Sequence, residues 1–84
     1  MYDCLITFRS VMPAQRAEDI LRQQGIDCVV RRTPKWMESQ GCGYSLRLGC
    51  GNLPQAVSLL EKHSVAYRKL YRRGREGMLE EMQL

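Results

Sequence analysis

The chain has 84 residues, 44% of them hydrophobic and 26% charged, with a formal net charge of +4. That is enough apolar content for one packed domain and too little length for two. No apolar run reaches the roughly 18 residues a membrane span needs, and the opening Met1-Tyr2-Asp3-Cys4 has neither the basic region nor the long apolar region of a secretion signal.

Size also limits function. A domain this short buries about 60–65% of its unfolded surface and has little room for a deep cleft. A compact carrier, a binding module or a small oligomer is favoured over an elaborate enzyme. The default setting is a reducing, cytoplasmic interior, so the four cysteines are not expected to form disulfides. No C-x-x-C occurs, and His63 is the only histidine. No metal site and no cofactor are expected from such a set. The positive charge is local: residues 67–75 carry five basic side chains, and residues 76–84 answer with Glu76, Glu80 and Glu81.

In chain order, residues 2–8 alternate Tyr2, Cys4, Ile6 and Phe8 onto one face and predict strand one. Ser10 and Pro13 open a helix over 11–24, with Ala14, Ala17, Ile20 and Leu21 inward and a Glu18–Arg22 pair on the wet side. Gly25 stops it. Strand two is 26–32 and a loop is 33–43. Strand three is 44–50, with Tyr44, Leu46, Leu48 and Cys50 on one face and Ser45 and Arg47 on the other. Gly51-Asn52 opens helix two, with Pro54 in its first turn and Ala56, Val57 and Leu60 buried; it ends near Ser64. Val65 to Tyr71 is strand four.

The β-α-β-β-α-β order predicts a single α+β, ferredoxin-like split sandwich over residues 1–72: a four-stranded sheet with two helices on one face and the other face open. Strands one and three are expected to be central and parallel, which puts the loop before strand three at the same edge as the start of strand one. Residues 73–84 read as a basic break and a short helical or frayed tail. The basic strand four reads as a solvated edge.

Cys42 stands out by position. It lies between Gly41 and Gly43 in a polar loop, with Lys35 in the same loop and Arg47 five residues on. Flanking glycines leave a thiol unshielded, and cations favour the nucleophilic thiolate. The plain alternative is a turn that contains a cysteine. Cys50 is the rival thiol, because it precedes helix two, whose N-terminus favours a thiolate; it also completes the apolar alternation of strand three. Cys4 and Cys28 lie mid-strand and read as small core residues. A Cys42–Cys50 bridge is excluded if strand three is extended, since about 25 Å would separate them. Trp36 and Met37 are either loop packing or a docking contact. The Tyr67-to-Arg75 stripe mixes aromatic and basic residues, but the aromatic-basic signature of RNA-recognition strands is missing, so nucleic acid is not favoured.

Thr33-Pro34, followed by Cys42-Gly43-Tyr44-Ser45-Leu46-Arg47 and preceded by the helix Ala14-Gln15-Arg16-Ala17-Glu18, resembles the selenium/sulfur carrier-like family of small bacterial proteins. The resemblance covers about residues 2–72. Between Pro34 and Cys42 the loop departs from the family pattern, and the extension past residue 73 lies outside it. The resemblance implies a carrier rather than a turnover enzyme. Cys42 would take a sulfur or selenium atom as a persulfide or selenosulfide from a cysteine desulfurase or selenocysteine lyase-like donor, and pass it to an acceptor protein. Gly43 would leave the thiol open, and Arg47 would steady the anion. The competing reading is a non-catalytic interaction or regulatory domain, dimeric through an edge strand or the open sheet face, with Trp36, Met37 and the Met78-Leu79-Met82-Leu84 tail as contacts.

Overall fold

The computed structural model describes residues 2–33, 43–74 and 77–82. The elements run β1 (Cys4–Phe8), α1 (Val11–Gln23), β2 (Cys28–Arg32), β3 (Tyr44–Leu48), a 3-10 turn (Cys50–Asn52), α2 (Leu53–Lys62), β4 (Leu70–Arg73) and β5 (Leu79–Met82). The sheet has five strands, not four, in the order β2-β3-β1-β4-β5. Every described pair is antiparallel.

The alternation expected for strand one holds for Cys4, Ile6 and Phe8, but the strand begins at Cys4 and Tyr2 lies exposed ahead of it. Cys4, Ile6 and Phe8 are buried together with Leu46 and Leu48 of β3. Ala14, Ala17 and Leu21 of α1 and Leu53, Ala56, Val57 and Leu60 of α2 join the same cluster. Three- and four-residue spacing aims these side chains at one stripe on each helix, and burying both stripes on one sheet face makes the core. Gly25 ends α1 at φ +78°, a backbone region that suits glycine, with its N–H donating to Arg22 at 3.0 Å.

Four expectations are corrected. First, β1 and β3 are neighbours but antiparallel, with Phe8 opposite Tyr44 and Cys4 opposite Leu48. The segment before β3 therefore meets the C-terminal end of β1, not its start. Second, the fourth strand begins at Leu70 rather than Val65. Arg68 and Lys69 both bond the backbone of Thr7, at 2.8 and 2.9 Å, so two residues oppose one and the regular ladder starts only beyond them. Third, the tail expected to be helical or frayed contains a strand. β5 pairs with β4 from Leu70–Met82 to Arg73–Leu79, so the basic strand is not an edge. Gly77, at φ +76°, lies in the reversal between them, where Gly74 N–H donates to the Met78 carbonyl at 2.6 Å. Fourth, the face away from the helices is closed at its centre: Leu5, Thr7 and Ser45 are buried there, and Arg47 and Tyr71 flank Leu5 in register.

The Glu18–Arg22 pair does more than decorate a wet helix face. Besides meeting each other at 3.5 Å, Glu18 accepts the Val30 N–H at 3.1 Å and Arg22 donates to the Cys28 carbonyl at 2.9 Å. Both backbone groups belong to β2, at the sheet's edge. The pair satisfies an edge that would otherwise offer itself to another chain. Glu18→Ala is expected to cost about 1–2 kcal/mol, the charge-assisted bond discounted for partial exposure, and to speed hydrogen exchange at the Val30 amide selectively. An unchanged Val30 exchange rate would contradict this role.

Candidate thiol site

The cysteines sort into three situations. Cys4 and Cys50 form a disulfide, with Cα atoms 5.1 Å apart and a sequence separation of 46. This overturns the expectation of free thiols and removes Cys50, in this state, as the rival nucleophile. The register shows why the bond forms. Cys4 lies opposite Leu48, and the chain turns after Leu48 so that Cys50 comes back over the start of β1. Cys50 is not the last residue of strand three but the first of the 3-10 turn leading into α2. Its N–H donates to the Asp3 carboxylate at 2.8 Å.

Cys28 is free and buried. Burial, seconded by the Glu18 carboxylate, raises its thiol pKa above the ordinary value. Cys28 therefore stays a neutral thiol at physiological pH and is a poor nucleophile. Its contribution to stability is complete below the ordinary thiol pKa and is lost as pH rises through the raised one.

Cys42, Trp36 and Met37 lie outside the described residues. Their frame is described. Thr33 N–H donates to the Gly43 carbonyl at 2.9 Å, which closes the base of the segment between them. Gly43 is buried, and Tyr44 follows it opposite Arg32 and Phe8. The Thr33 hydroxyl oxygen is buried and has no hydrogen-bond partner among the described residues. Sequence reasoning used Thr33 only as part of a motif; its position beside Gly43 makes it a polar group available at the loop base. Its place before a proline was a visible sign of a chain reversal, but not of an unpaired hydroxyl.

Arg47 lies four residues along β3 from Gly43, which is about 13 Å of extended strand. It stands on the face away from the helices, between Val29 and Leu5 in register, half-buried, with its Nε buried and without a hydrogen-bond partner among the described residues. The loop base and the disulfide sit at opposite ends of β1. The basic stripe is partly neutralised: Lys69 meets Glu81 at 3.3 Å and Arg72 meets Glu80 at 3.7 Å. Among the described residues, no group of His, Cys, Asp and Glu is arranged to hold a metal ion, and no helix is long and apolar enough to cross a membrane.

A family model described as Putative Se/S carrier protein-like matches residues 3–72. The chain belongs to the Se/S carrier protein-like family. No curated protein and no solved structure matches it significantly. The Se/S carrier-like match takes in both cysteines of the disulfide, the Thr33–Gly43 loop base and Arg47, and it stops within β4. The strand β5 is therefore an addition outside the Se/S carrier-like segment.

Proposed function

We propose that this protein is a thiol carrier of sulfur or selenium, with Cys42 as the accepting residue. One observation supports that choice above the others: of the four cysteines, two are bonded to each other and a third is buried with its thiol pKa raised. Cys42 lies outside the described residues and is the one cysteine that neither finding removes. In the transfer, the Cys42 thiolate attacks the outer chalcogen of a donor's persulfide or selenosulfide. A Cys42–chalcogen bond forms and the donor cysteine leaves as its thiolate, so no outside oxidant or reductant is needed. A cysteine desulfurase or a selenocysteine lyase-like enzyme is the donor, and an acceptor protein's nucleophile removes the atom in the same way. Gly43, with no side chain, leaves the thiol approachable. Thr33 contributes an unpaired hydroxyl at the loop base, and Arg47 contributes positive charge on the sheet.

The test is loading by an active cysteine desulfurase with cysteine as sulfur source, read by peptide mass spectrometry after alkylation. Wild-type protein is expected to gain one sulfur on Cys42, and Cys42→Ser to gain none from the desulfurase. Thr33→Val should keep the adduct but shorten its lifetime. Equal loading of Cys42→Ser would overturn the assignment. No adduct on any cysteine would leave the non-catalytic interaction domain as the reading.

A further inference from the structure

We propose that the Cys4–Cys50 bond is itself a loading site, and that its substrate class is the inorganic hydrochalcogenide anion, hydrosulfide or hydroselenide. This deepens the carrier reading by naming a substrate, and it does not depend on Cys42.

The two halves of the bond differ in access. Cys4 is fully buried in β1, between β3 and β4, whereas Cys50 is only half-buried and opens the turn into α2. In exchange at a disulfide, access decides which sulfur is attacked, so the anion meets Cys50. It arrives ahead of a ten-residue helix, whose N-terminal end favours negative charge. The Asp3 carboxylate opposes it, 2.8 Å from the Cys50 nitrogen. That opposition makes the site slower and makes Asp3 a measurable brake.

The chemistry closes without a further reagent. Hydroselenide attacks the Cys50 sulfur, a sulfur–selenium bond forms, and the Cys4–Cys50 bond breaks with its electron pair going to Cys4. The proton of the incoming anion passes to Cys4, which suits a buried group, and the negative charge stays on the Cys50-bound selenium. One anion enters and one anionic adduct results. Release is the reverse: Cys4, returned to its thiolate, attacks the Cys50 sulfur, the disulfide reforms and hydroselenide leaves. Hydrosulfide follows the same path. The fold keeps the reverse step available, because Cys4 is held by ladders on both sides and Cys50 follows Leu48, its cross-strand partner, by two residues. Opening the bond leaves the Cys4 thiol beside the Cys50 adduct, so reclosure is intramolecular.

The experiment uses the oxidised protein with anaerobic sodium hydrosulfide and, separately, hydroselenide. Wild-type, Cys42→Ser and Asp3→Asn proteins are compared, all of which retain both disulfide cysteines. Samples are alkylated without reductant and mapped by peptide mass spectrometry. One extra chalcogen is expected on Cys50, with a new free thiol on Cys4, to the same extent in wild type and Cys42→Ser. Asp3→Asn should load severalfold faster. After excess anion is removed by gel filtration, the adduct should decay with release of one equivalent of hydrochalcogenide and return of the disulfide. A bond that stays closed, a bond that opens with no chalcogen kept on Cys50, or an adduct on Cys4 would each overturn the proposal. Those results would leave desulfurase loading of Cys42 untouched. Conversely, loss of Cys42 loading would leave the Cys50 adduct of the Cys42→Ser protein in place, so the two readings fail separately.

Discussion

Reduction of the Cys4–Cys50 bond is expected to lower the unfolding free energy by about 4 kcal/mol. The bond joins residues 46 apart in sequence, and a closed loop of that length removes a large share of the conformations open to the unfolded chain. The folded side changes little, because both residues remain in their register positions. The cost therefore falls on the unfolded ensemble, and it is large for a domain whose total margin is about 5–15 kcal/mol. Urea unfolding with and without reductant measures it: the midpoint should fall by about 2–4 M for a chain of this size. Cys50→Ala should reproduce the loss without reductant. If reductant shifted the midpoint by less than about 0.5 M, the bond would be structurally idle and this account of the fold's stability would be wrong.

Phe8→Ala is expected to cost about 3–5 kcal/mol, the range for emptying a buried aromatic site. Phe8 is the chain's one phenylalanine and is fully buried at the C-terminal end of β1. It lies opposite Tyr44, one residue from Gly43, so the void would open directly beneath the loop base. Two readouts follow: a loss of global stability, and faster hydrogen exchange at the Thr33 amide, whose bond to Gly43 closes that base. Met12→Ala is the contrast, since Met12 is 73% exposed and its loss should stay within about 0.5 kcal/mol. Equal costs at the two sites would mean that the core does not support the loop base in this way.

Much of this architecture can be read from residue patterns because those patterns are local. Alternation marked Cys4, Ile6 and Phe8 as one face, helical spacing marked Ala14, Ala17 and Leu21, and both follow from geometry within a few residues. What escaped was set by distant partners. The direction of β1 against β3 is a property of pairing, and no short window carries it. The disulfide needs Cys4 and Cys50 to meet across 46 residues, and each separately looked like a core or helix-start cysteine. The fifth strand is Leu79-Glu80-Glu81-Met82. Its charges read as a solvated tail until Glu80 and Glu81 are placed across from Arg72 and beside Lys69. The function of Glu18 was half legible: the i,i+4 pair is in the sequence, and the strand edge it satisfies is not. At the candidate site, sequence singled out Cys42 by its glycines. The fold ties Cys4 to Cys50 and buries Cys28, while Cys42 itself lies outside the described residues; it adds the Thr33 hydroxyl at the loop base.

The covalent loop also has a mechanical meaning. Residues 5–49, which hold most of β1 and all of α1, β2 and β3, lie inside it. A pulling force applied at the two ends of the chain passes from β1 across the sulfur–sulfur bond straight into α2. The enclosed segment carries none of the extension, and only α2, β4 and β5 can pay out. Once the bond is opened, about 160 Å of hidden contour length becomes available, so the same protein is short and stiff when oxidised and long and extensible when reduced.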